Sequence, residues 1–287
     1  MTDYAKLIHR FWPDWTVEEK LGSGSYGTVY RAKRVDLTGV TTYSAIKVIR
    51  IPKEEPDEDL EEDEETPERS ASYLEGVVRY LAEEIRMMET VKGYTNIVSI
   101  EDHFIYQMPD EPVWVILIRM ELLTSLRRYM AQKPLDEQDV IKLGMDLCSA
   151  LDVCRRNKII HRDIKPDNIC VNRNGDFKLG DFGEARILEH LTMSLTRRGT
   201  PNYMSPELYH RTANFTDIQS GSLMDIYSLG LVLYWLSNDR QLPFMQDQMI
   251  TPKSELDAFT RRINGEDCRR RATPRTRWPR SSSRPAP

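Results

Sequence analysis

The chain has 287 residues, 40% of them hydrophobic, and a formal net charge of −5, which is room for one large domain or two lobes with a real core. Nowhere do about 18 apolar residues run together, and the best candidate, "LGLVLYWL" at 229–236, is long enough only for a buried helix, so no membrane span is expected. The charge is a balance of opposites, ten carboxylates in "EEPDEDLEEDEE" at 54–65 against seven arginines beyond residue 266, and the body between is close to neutral.

The N-terminus, "MTDYAKLIHRFWPDW", carries charges inside its only apolar stretch. It is not a secretory signal, and a cytoplasmic protein is expected. Residues 1–14 read as an N-terminal extension, a short helix packing on the small lobe. From Trp15 to about Ile51, alternation and turn residues predict a β-meander: "TVEEKLGSG", "GTVYRAKRV" and "TTYSAIKVIR". Residues 53–70 are too polar and acidic to pack and read as a disordered insertion. Leu74, Val77, Val78, Leu81, Ile85 and Met88 recur at three- and four-residue steps, which predicts an amphipathic helix over 73–91.

Two apolar strands follow, "NIVSIEDHFI" and "VWVILIRMEL". Then the pattern turns helical in "SLRRYMAQ" and in "DEQDVIKLGMDLCSALDVCRRN", where Asp136 makes a credible helix start. Short strands are expected around "NICV" and "FKLG", and an apolar helix over 223–237. A β-rich half thus precedes an α-rich half, without internal repeats. The four cysteines at 148, 154, 170 and 268 lack metal-ligand spacing. Three lie in apolar runs and are expected to be buried, reduced thiols.

Three stretches carry chemistry. "GSGSYGTV" at 22–29 is a glycine-rich loop that continues into a strand and not a helix, so it is a hairpin whose backbone N–H groups could cover phosphates. Alone it is weak, since any tight hairpin uses such glycines. Lys47 in "AIK" lies inside an apolar strand, where a charge needs a partner. The strongest signal is "HRDIKPDN" at 161–168, which concentrates a base (Asp163), a cation (Lys165) and a metal-binding amide (Asn168), followed by "DFG" at 181–183 and "GTPNYMSPE" at 199–207.

Together, and in this order, these residues resemble the eukaryotic-type (Hanks-type) protein serine/threonine kinases, in the version found in many bacteria. The resemblance runs from about Trp15 to Glu266. It implies an α+β, two-lobed protein kinase fold, a small antiparallel β-sheet lobe plus a larger, mainly helical lobe. The expected bounds are 15–120 for the N-lobe, 121–266 for an incomplete C-lobe and 267–287 for a basic tail. ATP and Mg²⁺ are the implied cofactors, and proteins bearing Ser or Thr the implied partners and substrates.

The resemblance assigns roles residue by residue. Gly22, Gly24 and Gly27 would close over the ATP phosphates, and Lys47 would contact the α- and β-phosphates. For the acidic partner of Lys47, Glu83 and Glu84 both offer themselves, and the family's register selects Glu84. Asp163 looks like the base, Lys165 like the cation at the γ-phosphate of Ser/Thr-specific members, and Asn168 and Asp181 like the magnesium ligands. In "RMELL", Met120 would be the gatekeeper, with Glu121 and Leu123 offering backbone groups to adenine. Val29, Ala45 and Cys170 would sandwich the ring; Cys170 stands where Leu is usual. Arg162 implies activation by phosphorylation, with Thr196 the first choice and Ser194 and Thr192 next, while Thr200 would hydrogen-bond near the base. Glu207 and Asp225 would be structural.

Glu207 of this family normally pairs with an arginine on a late helix, and further helices follow the Gly265–Glu266 position. The Arg, Pro, Ser and Ala text beyond 266 does not supply them, and a shifted reading frame is the expectation. Its rival is a real basic arm for acidic surfaces or nucleic acid, with Trp278 able to stack on a base. If the helices are missing, apolar faces of the 223–237 helix and of "ELDAFTRRI" stay exposed. Two other functions remain: a non-catalytic nucleotide-binding scaffold, and a small-molecule phosphotransferase, disfavoured by Lys165 and "GTPNYMSPE".

Overall fold

The computed structural model describes residues 4–24, 27–51, 71–109, 113–187, 201–210, 218–245 and 252–266. The chain divides into two compact units, Met1–Gly93 with Val98–Leu123, and Tyr94–Ile97 with Thr124–Pro287. The expected acidic insertion at 53–70 and basic tail at 267–287 lie outside the described residues, as does Cys268.

The first unit contains helix α1 (Tyr4–Phe11), strands β1 (Thr16–Gly24), β2 (Gly27–Val35) and β3 (Thr41–Ile51), helix α2 (Ala71–Thr90), and strands β4 (Ile100–Gln107) and β5 (Trp114–Glu121). The strands form one antiparallel sheet in the order β1-β2-β3-β5-β4. β3 lies in its middle, and its run of β-branched and apolar side chains is buried on both faces from Ser44 to Ile49.

Alternation separates the two faces. Ile46, Val48, Val115 and Leu117 point to one face and form a core with Leu7 and Ile8 of α1 and with Trp12 and Trp15 just beyond it. Phe11 stacks on Phe104 with ring centroids 4.7 Å apart, and the Trp12 indole N–H donates to Asp102 at 2.7 Å. The segment expected as an extension therefore supplies core to the sheet. The other face carries Ala45, Lys47 and Ile49 and belongs to the site described below.

The second unit contains β6 (Thr124–Ser125), α3 (Leu126–Gln132), α4 (Glu137–Arg156), β7 (Ile159–Ile160), β8 (Ile169–Val171), β9 (Phe177–Leu179), β10 (Arg186–Ile187), α5 (Pro206–His210), α6 (Ile218–Ser237) and α7 (Pro252–Ile263). Asp136 starts α4 as the sequence predicts. Its side chain accepts the Asp139 N–H at 2.8 Å, and the Asp139 carboxylate accepts the Asp136 N–H at 3.2 Å, a reciprocal capping box.

Three results correct or sharpen the sequence expectations. Tyr94–Ile97, expected inside the small lobe, clusters with the second unit, because the Leu179 N–H donates to Asn96 O at 2.9 Å and the Asn96 amide donates to Phe177 O at 3.0 Å. Of the cysteines, Cys154 is buried and Cys170 half-buried, but Cys148 is exposed. The apolar run around it misleads, since Cys148 falls on the same outward side of α4 as Ile141 and Met145. On the apolar helices, Leu223 and Ile226 of α6 and Leu256 of α7 are exposed. Among the described residues no helix is long and apolar enough to cross a membrane.

Candidate active site

In the first unit the β1/β2 hairpin closes with Gly24 paired to Gly27, and a register shift separates Lys20 from Gly22. Gly27 adopts φ +116°, and a Cβ there would lie 2.2 Å from Val48 O, so no other residue fits without moving β3. Around Gly22 a Cβ would meet nothing within 4 Å, which leaves that stretch of backbone open to approach.

Val29 pairs with Lys47, Lys47 with Ile118, and Ala45 with Met120. Directly opposed residues of antiparallel strands share a face, so Val29, Ala45, Lys47 and Met120 form one apolar surface with a single ammonium in it. Lys47 and Glu84 are both buried, and Lys47 Nζ lies 2.7 Å from Glu84 Oε1. Glu83, the other candidate, faces outward and pairs with Arg86. A buried pair of this kind is held by its geometry, because removing either partner strands the other charge away from water. At the end of β5, the Glu121 N–H donates to Ser99 O at 3.1 Å, which restricts any adenine contact by Glu121 to its carbonyl. Leu123, just beyond, is half-buried.

In the second unit α6 positions the loop 161–168. Gly221 lets α6 reach β7, since a Cβ there would fall 1.9 Å from Ile160 Cδ1. One turn further along α6, the two carboxylate oxygens of buried Asp225 accept the backbone N–H groups of His161 at 2.9 Å and Arg162 at 2.8 Å. Burial pushes the Asp225 carboxyl up from its ordinary value, against the pull of His161 and Arg162. This grip holds Arg162 at φ +68°, a conformation costly for a non-glycine residue. The backbone turn so fixed presents Asp163.

Asp163 stands at the centre of a tight cluster. The Asn168 amide donates to Asp163 O at 2.8 Å and to its Oδ2 at 2.9 Å, and Lys165 Nζ lies 2.8 Å from the same Oδ2. The Gly180 N–H donates to Asn168 O at 2.9 Å, and His161 Nε2 lies 3.1 Å from Gly180 O. The His161 ring also meets buried Phe182 edge-on with centroids 5.0 Å apart. Asp181 is thereby anchored beside the cluster at φ +59°, half-exposed.

Cys170 lies on β8, paired with Lys178. Glu207 is exposed at the start of α5 and makes no ion pair among the described residues. Thr192, Ser194, Thr196 and Thr200 lie outside the described residues. Sequence reading passed over Gly221, although a glycine within a helical pattern is itself a sign of close packing, and over Asp167, which lay unassigned within the quoted octet.

An antiparallel sheet unit with a buried Lys–Glu pair, and a helical unit with an Asp–Lys–Asn cluster, make an α+β, two-lobed fold. The comparisons make this specific: a protein kinase domain matches residues 15–285. Similar proteins include Cyclin-dependent kinase-like 1 of Caenorhabditis elegans, 32% identical over 221 residues, covering 74% of this chain and 52% of that protein. Serine/threonine-protein kinase 36 of Pongo abelii is 34% identical over 231 residues, covering 77% and 14%. "Probable serine/threonine-protein kinase PknB" of Lactococcus lactis is 33% identical over 177 residues, covering 61% and 26%. The chain belongs to the protein kinase family, and it spans from 14% to 52% of the length of these relatives.

Proposed function

We propose that the chain is a serine/threonine kinase that transfers the γ-phosphate of ATP to protein hydroxyls, its own activation segment included. The single observation that supports this most is the Asp163–Lys165–Asn168 cluster, in which one carboxylate oxygen is gripped by an amide and an ammonium. Asp163 accepts the proton of the substrate hydroxyl as the hydroxyl oxygen bonds to the γ-phosphorus. The bond from that phosphorus to the bridging oxygen breaks, and ADP departs. Lys165 offsets negative charge on the transferring group. Lys47, oriented by Glu84, contacts the α- and β-phosphates, and Gly22, Gly24 and Gly27 allow the hairpin backbone to approach them. Val29, Ala45, Met120 and Cys170 contact the adenine, with the Glu121 carbonyl and Leu123 backbone at its edge.

The family typically uses Mg²⁺ with ATP. The residues present fit it: both N–H groups of the Asn168 amide are spent on Asp163, which turns its oxygen away as a hard ligand, and Asp181 adds a carboxylate. Among the described residues no group of three His, Cys, Asp or Glu could hold a metal ion. When bound, the ion neutralises phosphate charge. Asp225 and Arg162 act by holding the loop, and Arg162 is the group that a phosphate on Thr196, Ser194 or Thr192 would pair with.

The test is incubation of purified protein with Mg-ATP and a mixture of Ser-, Thr- and Tyr-containing peptides, followed by phosphoamino-acid analysis. Phosphoserine and phosphothreonine, lost when EDTA is added, are expected. ATP binding without turnover, or phosphotyrosine alone, contradicts the reading.

A further inference from the structure

The last turn of α7 carries a buried charge that the chemistry above does not use. Arg262 is 7% exposed. Its guanidinium donates twice, from Nη1 to Pro243 O at 3.0 Å and from Nη2 to Asn202 O at 3.3 Å. Pro243 follows α6 and Asn202 precedes α5, so one planar fork ties two separate stretches of chain to α7. From the first turn of the same helix, Glu255 Oε1 lies 3.5 Å from the Asn202 side-chain nitrogen. Apolar contacts seat α7 as well: Ala258 and Phe259 are buried, and the Phe259 ring meets Tyr209 of α5 edge-on with centroids 4.8 Å apart. A buried guanidinium supplies direction more than stability, because its desolvation offsets much of what its bonds return.

What it directs is the 3-10 turn Pro201–Tyr203. Tyr203 O accepts the Ser228 hydroxyl of α6 at 2.7 Å, one turn along from the Asp225 that holds the loop 161–168. Burial pushes the Tyr203 hydroxyl up to about 12, and the charges of Arg127, Asp167 and Arg262 act on it too. Arg127 and Asp167 are themselves a pair, with Arg127 Nε donating to Asp167 Oδ1 and Nη2 to Oδ2 at 3.0 Å. Asp167 shares the 3-10 turn Pro166–Asn168 with the amide that grips Asp163. The Tyr203 hydroxyl therefore lies in the field of the charges beside Asn168, while its neighbour Asn202 is gripped by α7.

We propose that Arg262 is a positioning residue for phosphoryl transfer: by fixing Asn202 it seats Tyr203 against the turn that carries Asn168, and so keeps the Asp163–Lys165–Asn168 cluster in its working geometry. This rests on the kinase reading above. Lys47, Val29 and Ala45 belong to the other unit, so loss of the fork acts on turnover and not on the affinity for ATP.

The experiment compares the wild type with Arg262→Met, Arg262→Lys and Arg261→Met, all assayed well below the thermal midpoint of the least stable protein. Two readouts are taken: hydrogen exchange of the backbone amides at 202–204, followed by mass spectrometry, and kcat and KM for ATP with a mixture of Ser- and Thr-containing peptides. Arg262→Met is expected to speed exchange at 202–204 by about tenfold, the scale of a hydrogen bond to a charged group, and to lower kcat by a similar factor while KM for ATP stays within about twofold. Arg262→Lys keeps the charge but has a single head for two carbonyls, so it is expected to recover part of both effects. Arg261→Met, on the same turn but solvent-exposed, is expected to change neither. Exchange unmoved in Arg262→Met, faster exchange with kcat unchanged, or a kcat loss matched by an equal rise in KM for ATP overturns the inference. Faster exchange in Arg262→Met with no turnover in any protein, wild type included, overturns the kinase reading and leaves only the anchoring of Asn202. Neither turnover nor an exchange difference counts against both.

Discussion

Gly27 is where the backbone tolerates least. Its φ of +116° and the 2.2 Å approach of a would-be Cβ to Val48 O act together, so Gly27→Ala costs about 1–3 kcal/mol in backbone strain and displaces either the hairpin or β3. A drop in thermal midpoint with a raised KM for ATP is expected; an unchanged midpoint would show that the hairpin has another conformation available. The cysteines separate along similar lines. Burial pushes the Cys154 thiol far above its ordinary value of about 8.5, so near pH 8 it has almost no thiolate, whereas Cys148 is exposed on the same helix. Alkylation at that pH, read by peptide mass mapping, is expected to modify Cys148 first and to reach Cys154 only on unfolding. Equal rates would contradict the burial pattern of α4. Residue identity alone misled here, because both cysteines sit in apolar text and only the rotation of the helix tells them apart.

At the scale of elements, α6 sets the geometry of the loop 161–168 while leaving part of its own apolar surface uncovered. Gly221 and Asp225 face β7 and the loop, and Leu223 and Ile226 face outward. Leu223→Lys is therefore expected to change stability by no more than about 0.5 kcal/mol. Met224→Lys, one residue on and buried at 2%, is expected to cost about 3 kcal/mol or more, since it places an unpaired ammonium among apolar side chains. Urea unfolding of the two variants decides this, and similar midpoints would mean that α6 is rotated about its axis. Much at this scale was legible. The Asp136 cap, the three- and four-residue steps of α2 and the alternation of β3 are local signals, and each element formed within a few residues of its expected bounds. What Leu7, Ile8 and Trp12 would pack against was not legible, because an amphipathic stripe names a buried face and not its partner. The same holds for Tyr94–Ile97, whose hydrogen bonds reach to residues 177 and 179.

In the whole molecule, each unit carries its own charged cluster, Lys47 with Glu84 in one and Asp163, Lys165 and Asn168 in the other. The candidate site was largely readable because phosphoryl transfer needs few residue types at close spacing, and those spacings survive in "HRDIKPDN" and "DFG". The Arg127–Asp167 pair was not readable, since 40 residues separate its partners and no local pattern marks a pairing of that range. The account's central claim is that Asp163 serves phosphoryl transfer from ATP. Intact-mass analysis of the wild type and of Asp163→Asn after incubation with Mg-ATP tests it most directly. Added phosphates on the wild type and none on the variant are predicted; equal gains, or no gain on the wild type, would contradict the claim.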